Sequence, residues 1–268
     1  MKNIFKNNFD LGFLNMIDGN KIFLLEEIVK KNFAAKYKDS ALGIIWSVLK
    51  PLMIMILLTI IFATLFGKDI SNYPIYFLSG KCIFDFFNLS TSISTNSIKG
   101  NKNILSRTAA PKYIFVLGSV LSEFLNFIIT LIILVFVMIV THAPFYLTLP
   151  LSIIPIISLI TICIGVSLIL SILCVQYTDV QHLWSIISLL LMYASAIFYP
   201  MSIIPQPFQE YMCLNPIFWI IDQFRSLAIY GTIPEPLYII NSILLSLIIL
   251  VIGIIIFKKY EQKITMKF

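Results

Sequence analysis

The sequence predicts an all-α integral membrane protein with six transmembrane helices, and three observations support that fold class. Hydrophobic residues make up 59% of the 268 residues and charged residues only 12%, whereas soluble domains are nearer one half and one quarter. Several apolar runs are long enough to cross the ~30 Å hydrocarbon core of a bilayer. Lysine and arginine collect between those runs, which is the pattern that orients membrane proteins.

The predicted transmembrane domain covers residues 44–257. Its first span includes Pro51, because a helix that began after this proline would be too short for the bilayer. The second span is the least apolar, and its polar residues recur at helical spacing on one face, which predicts that this face avoids lipid. The six spans are expected at about 44–66, 75–98, 114–140, 149–175, 183–199 and 237–257.

Residues 1–43 form a polar, basic segment in which one amphipathic helix is predicted. Apolar residues recur at helical spacing at Ile22, Leu25, Val29, Phe33 and Tyr37, with lysines around them. Such a helix suits the membrane surface, with its lysines toward anionic head groups. A packed helix of a small cytosolic domain is the alternative. No secretory signal peptide precedes the first apolar run, so the N-terminus is expected to be retained.

The segment 200–236 is unusual for a loop, since it holds six prolines and yet the apolar run 217–221. Asn215 followed by Pro216 is typical of a helix N-cap with proline at the first helical position. Two short re-entrant helices between the fifth and sixth spans are therefore predicted. Irregular backbone at membrane depth is tolerated only where protein or water surrounds it.

The positive charges predict that both termini are cytosolic. Seven lysines precede residue 44, four basic residues lie between 99 and 112, and four lysines lie in the tail 258–268. On the outer side of the membrane, by contrast, the predicted topology leaves only Lys68 and Arg225. The net charge of +6 is thus explained by orientation rather than by nucleic-acid binding. The four cysteines match no metal or redox motif and are expected to act as small hydrophobes.

Catalytic, cofactor-binding and metal-binding motifs are absent from the sequence. Gly67-Lys68 and Gly80-Lys81 lack the upstream glycine and the following Ser or Thr of a phosphate-binding loop. Neither histidine belongs to an HExxH motif, and there is no GxSxG. No catalytic, cofactor or metal residue is expected on this chain, so any ATP, with its Mg, would be bound and hydrolysed by a partner.

Four stretches in series resemble permease subunits of type-two ATP-binding-cassette exporters of lipid-linked polysaccharides, the proteins that export O-antigens, teichoic acids and capsular glycans. The resemblance covers roughly residues 25–265. Val116 and Thr178 depart from it, since the family often has a proline and an arginine there. The four stretches are Tyr37–Trp46 with Lys50-Pro51, Pro111–Phe115, Thr178–Trp184 with Tyr199-Pro200, and Asn215-Pro216 with Phe224-Arg225.

The resemblance implies a multi-pass homodimer in the plasma membrane, which is the inner membrane in a Gram-negative cell. Its expected partners are two copies of a separate ATPase, the lipid-linked glycan and membrane lipids. No nucleic acid is expected to bind. It implies three sets of site residues: an interface helix with Lys30, Lys31, Tyr37 and Lys38; a coupling segment, 99–113, with Lys102, Arg107, Pro111 and Lys112; and an external gate with Pro200, Asn215, Pro216, Phe224 and Arg225.

A glycan path needs polar groups and aromatic platforms on which sugar rings stack. The second and fifth spans offer both, although ordinary helix packing explains the same residues. The candidates for the channel lining are Lys81, Asp85, Asn88, Trp184, Tyr193, Phe198 and Tyr199. Two other functions stay open: an exporter of small lipids or drugs, and a membrane-embedded polyprenyl-phosphate sugar transferase, which should show clustered acids or histidines.

Overall fold

The protein is an all-helical bundle in a computed structural model that describes residues 19–38, 40, 42–66, 70, 72–105 and 110–265. No strand occurs within those residues. Short 3-10 turns lead into α2, α6 and α8 and follow α3. The helices are α1 (Gly19–Tyr37), α2 (Trp46–Phe66), α3 (Tyr73–Ser94), α4 (Lys102–Leu105), α5 (Tyr113–Val140), α6 (Ile153–Gln176), α7 (Val180–Tyr193), α8 (Gln206–Met212), α9 (Pro216–Ala228) and α10 (Pro236–Thr265).

Within the described residues, four helical stretches are long and apolar enough to cross a membrane: Gly43–Phe62, Tyr113–Val140, Leu149–Gln176 and Pro236–Glu261. They coincide with the predicted first, third, fourth and sixth spans, and they make the chain a multi-pass membrane protein. Pro51 lies inside the first of them, as expected. α3 has 22 residues, or about 33 Å of helix, but is more polar.

The predicted fifth span differs from the observed helix. α7 has 14 residues, or about 21 Å, and ends at Tyr193, so residues 194–199 of the predicted span lie outside it. The backbone of Ala196 has a positive φ of 47°, which no continuing right-handed helix allows. The sequence 194–199 carries no proline or glycine, and its conformation depends on the tertiary contacts described below.

α3 is the central helix, and it packs against α2, α5, α6, α7 and α9. Its side chains Ile75, Phe77, Ile83 and Phe84 are almost completely buried. The least apolar long helix is thus the one most shielded from lipid, as the cost of polar groups in hydrocarbon requires. By contrast, among residues 46–62 of α2 only Met55 is buried.

α6 and α10 approach so closely that their backbones touch at a pair of glycines. A Cβ atom at Gly253 would lie 2.5 Å from the carbonyl oxygen of Gly165, and one at Gly165 would lie 2.8 Å from the carbonyl oxygen of Ile249. Neither backbone can move aside without separating the two helices. Small residues of this kind are what lets membrane helices pack closely.

Gly253→Leu is therefore expected to lower the free energy of unfolding by about 1–3 kcal/mol, the usual cost of overpacking. Gly100→Leu is the matched control, because Gly100 is exposed and a Cβ there would meet nothing closer than 3.6 Å. The measurement is thermal unfolding of both variants in detergent. Equal midpoints for the two variants would contradict the close contact of α6 with α10.

Candidate functional site: a helix break and a charged cavity

The chain leaves the helical path after α7, and side chains from α3 bind the carbonyl groups that this break frees. The Tyr73 hydroxyl donates to the carbonyl oxygen of Phe198 at 3.0 Å. The Tyr76 hydroxyl donates to the carbonyl oxygens of Ala196 at 3.1 Å and Tyr199 at 2.8 Å. Because a buried carbonyl without a partner is costly at membrane depth, these bonds make the break tolerable.

Arg225 of α9 donates most of the other hydrogen bonds to carbonyl groups at this break and in α3. Its Nη1 donates to the carbonyl oxygen of Ala196 at 2.9 Å, and its Nη2 donates to those of Tyr76 at 2.9 Å and Ile197 at 3.3 Å. The guanidinium lies 3.5 Å from the centre of the Tyr76 ring, a cation–π geometry. The sequence places Arg225 on the outer side of the membrane but gives no sign of its burial, and only 4% of the residue is exposed.

Asn215 joins α9 to the end of α7. Its side chain accepts from the backbone N–H of Ile217 at 3.0 Å, and Pro216 occupies the first turn, so the predicted cap is confirmed. Its Nδ2 donates to the Ser195 hydroxyl at 2.8 Å and to the carbonyl oxygen of Ala194 at 3.2 Å. The side chain of Asn215 therefore forms hydrogen bonds both at the start of α9 and at the end of α7.

This double role predicts how two substitutions of Asn215 compare. Asn215→Ala should cost at least the ~1 kcal/mol of a lost N-cap, because the donors to α7 are lost as well. Asn215→Asp keeps the capping oxygen but places a carboxylate against the carbonyl of Ala194, so we expect no rescue. Thermal unfolding in detergent measures both. A fully stable aspartate variant would show that only the cap matters.

The predicted aromatic residues of the fifth span pack mainly against α3. Trp184 donates through Nε1 to the Thr91 hydroxyl at 3.1 Å, and Phe198 lies against Tyr193 with ring centres 5.8 Å apart. The Tyr199 hydroxyl donates to the carbonyl oxygen of Tyr193, whose own side chain is exposed. Among these candidates, Tyr193 is the one that presents a mostly open ring.

A cavity of about 500 Å³ lies between the end of α1 and helices α2, α3 and α5. Lys81, Asp85 and Asn88 line it, so the polar face of α3 points into the bundle, as predicted. Lys81 and Asp85 form an ion pair one helical turn apart. The aromatic candidates of α7 do not line this cavity. The other charged side chains in its wall are Lys36, Lys50 and Glu123.

Glu123 of α5 is the most buried charge of the cavity, with 3% of the residue exposed. It accepts from Lys36 Nζ at 2.8 Å and from Asn126 Nδ2 at 3.0 Å. The Tyr37 hydroxyl donates to Asn126 Oδ1 at 2.7 Å, and burial raises the pKa of that phenol. Sequence reasoning treated the acids as scattered and missed this group. The available signal was a Glu and an Asn three residues apart within an apolar span.

The family model described as ABC-2 type transporter matches residues 24–229. The chain belongs to this family. It is 29% identical over 264 residues to the O-antigen export system permease protein RfbA of Klebsiella pneumoniae, covering 96% of this chain and 97% of that protein. RfbA of Myxococcus xanthus is 24% identical over 82% of this chain and 86% of its own length. The polysialic acid transport protein KpsM of Escherichia coli is 22% identical over 89% and 93%.

α1 of this ABC-2 transporter chain packs along the start of α5. Ile28 is buried against Ile114 and Phe115, and a Cβ at Gly118 would lie 2.5 Å from the Ile28 side chain. Of the predicted interface residues, Lys30 and Lys38 are exposed, Lys31 donates to Asn101, and Tyr37 is half-buried. The basic face of the helix therefore stays open while its apolar face contacts the bundle.

The predicted coupling residues of the ABC-2 chain fall in different environments. Lys102 is exposed at the start of α4, and Pro111 is half-buried. Lys112 is buried and donates to the carbonyl oxygen of Glu261 in α10 at 2.7 Å; burial lowers its pKa. Arg107 lies outside the described residues. Lys112 thus binds within the chain, which fixes the start of α5 to the end of α10.

The remaining predicted gate residues are Pro200 and Phe224. Pro200 is half-buried and precedes a 3-10 turn, and Phe224 is buried in the core. Within the described ranges of this ABC-2 chain, no group of three His, Cys, Asp or Glu could hold a metal ion. Cys82, Cys163 and Cys174 are buried, as expected of small hydrophobes, whereas Cys213 is exposed.

Proposed function

We propose that this chain is the permease subunit of an ATP-driven exporter that moves a lipid-linked polysaccharide across the plasma membrane. The observation that carries the proposal is the similarity to O-antigen export permeases over 96% of this chain and 97% of the relative. The absence of a phosphate-binding loop from the sequence supports a separate ATPase. The same architecture could carry small lipids or drugs, and the experiment below includes that outcome.

In the proposed topology α2, α3, α5, α6, α7 and α10 cross the membrane, with both termini in the cytosol and the basic tail 258–268 inside. The positive-inside bias supports this orientation. α1 and the coupling segment 99–113 then meet at the cytosolic end, where Lys31 donates to Asn101. The helix break, α8 and α9 lie at the opposite end of α3, where α8 and α9 form a re-entrant external gate in segment 200–236.

Two protomers and two ATPase subunits would form the exporter, with ATP and Mg on the ATPase. Closure of the ATPase would push the coupling segments. That movement would pass to α10 through Lys112 and to α1 through Lys31. The exposed outer faces of α2 and α7 would meet the second copy or lipid. Tyr193 on the open face of α7 is the aromatic candidate best placed for a sugar ring.

The test is purification of the tagged full chain in mild detergent, followed by mass spectrometry of what accompanies it. An ATPase with a phosphate-binding loop should appear in about equal amounts and should be lost in Lys102→Glu with Arg107→Glu. Lys259→Glu is the control, because it also reverses the charge of a basic residue but lies outside the coupling segment. Depletion of the chain should trap lipid-linked glycan on the cytosolic side.

Three results would contradict the proposal. A chain that is active alone, without an ATPase, would favour the transferase. A retained ATPase with normal glycan export after depletion would favour an exporter of small lipids or drugs. If the ATPase is retained both in Lys102→Glu with Arg107→Glu and in Lys259→Glu, segment 99–113 does not bind the ATPase as proposed.

A further inference from the structure

Among the described residues, the wall of the charged cavity between α1, α2, α3 and α5 holds three lysines and two carboxylates. Lys36 pairs with Glu123, and Lys81 pairs with Asp85. The fifth charged side chain of the wall, Lys50, has no acidic partner within 4.0 Å among the described residues. Lys50 is exposed and therefore open to a ligand, and a bound anion of one charge would balance the charges of the wall.

The cavity also offers an unused neutral donor close to the charges. Asn88 accepts from the Ser92 hydroxyl through Oδ1 at 3.3 Å, while nothing within the described part of the chain accepts from its Nδ2. Lys36 and Lys81 each donate one of their three ammonium hydrogens to a carboxylate. A phosphate oxygen, which accepts several hydrogen bonds, is therefore better suited to this wall than a halide ion.

Apolar side chains also line the cavity, beside the polar side chains of Tyr37, Ser40, Ser47, Asn126 and Thr130. Aromatic and aliphatic side chains continue from the charged groups toward α2, whose described residues are mostly exposed. A volume of about 500 Å³ is in the range of small-molecule sites. Hydrocarbon could therefore extend from the charged groups past α2 into the bilayer. The apolar wall residues are Trp46, Ile54, Phe77, Phe86, Leu89 and Phe127.

We propose that this cavity binds the phosphate of a lipid that carries a single negative charge, with its hydrocarbon chains leaving beside α2. Lys50 neutralises the phosphodiester, and Asn88 donates a neutral hydrogen bond. The charge and the apolar wall both follow from the cavity alone. Only its position in the cytosolic half of the membrane rests on the topology proposed above. The lipid comes from the bilayer itself, and phosphatidylglycerol has such a phosphodiester with one charge.

The experiment is native mass spectrometry of the full chain, with any ATPase it retains, titrated with phosphatidylglycerol in detergent. We expect one molecule of this lipid per protomer to remain bound at collision energies that remove the others. Lys50→Gln should weaken that binding about tenfold or more, the loss of one charge-assisted hydrogen bond. Lys259→Gln should leave it unchanged, because it removes the same charge from α10, outside the cavity. Thermal unfolding confirms that both variants are folded.

Competition experiments separate the sources of the phosphate. Diacylglycerol with the same acyl chains should not displace phosphatidylglycerol, and inorganic phosphate should do so only at far higher concentration. Polyprenyl phosphate, a monoester with up to two charges, should compete more weakly, and tighter competition by it would overturn the proposed preference for a phosphodiester of one charge. Equal retention by Lys50→Gln and Lys259→Gln, displacement by diacylglycerol, or displacement by inorganic phosphate at matched concentration would each overturn the proposal. Since no readout uses transport, the result is independent of the proposed export function.

Discussion

Replacing Arg225 with methionine is expected to lower the free energy of unfolding by about 3–5 kcal/mol, the range for breaking a buried charged network. Methionine fills a similar volume but donates no hydrogen bond. The carbonyl groups of Ala196, Ile197 and Tyr76 would lose their guanidinium donor. Because these carbonyls belong to the break after α7 and to α3, the loss should loosen α9 from both. Thermal unfolding and export of the substrate by the intact transporter measure the effect.

Arg225→Lys separates the charge of this residue from its shape. A lysine keeps the positive charge but cannot direct planar donors to three carbonyls at once, so we expect only partial recovery. Lys259→Met is the control for loss of an exposed charge, since the contact of Lys259 with the Tyr260 ring, at 5.7 Å, is long. Gly80→Ala should repeat part of the Arg225 defect, since its Cβ would lie 2.6 Å from Arg225 Nη2. An Arg225→Met protein as stable as Lys259→Met would show that the hydrogen bonds contribute nothing.

Local sequence signals predicted local structure well, but they did not predict the long-range contacts of Arg225. The cap at Asn215 and Pro216 was predicted because all of its partners lie within two residues. The ion pair of Lys81 and Asp85 is also local, since it needs only one helical turn. The partners of Arg225 lie up to 149 residues away, on a helix that packs beside it only after the bundle has folded.

The end of α7 was not predicted for a related reason. Residues 194–199 contain no helix-breaking residue, and a continuous apolar run predicts a continuous span. The helix ends at Tyr193 because Arg225, Asn215 and the tyrosines of α3 provide better partners for its carbonyls than another turn of helix would. Such competition between local and tertiary hydrogen bonds has no signature in a single stretch of sequence.

Lys36→Met is expected to destabilise the protein by about 3 kcal/mol, near the low end for a broken buried pair, because one third of the lysine side chain is exposed. The substitution leaves Glu123 buried with Asn126 as its remaining donor. Lys30→Met on the same helix is the matched control. Lys30 pairs with Glu27 at the surface, where both side chains are more than half exposed. Its loss should therefore cost below about 0.5 kcal/mol.

The physical cause can be separated from general damage to α1 by a double-mutant cycle. If the cost of Lys36→Met is the stranded carboxylate, adding Glu123→Leu should recover most of the lost stability, because an apolar pair replaces a buried ion pair at little cost. Hydrogen exchange should show faster opening of α1 in Lys36→Met and near-normal protection in the double variant. If Lys36→Met and Lys30→Met exchange alike, this ion pair does not fix α1 to the bundle. Protection restored by Glu123→Leu, the expected result, would show that the stranded carboxylate opens α1 and that the apolar contacts of α1 suffice to hold it once that charge is removed.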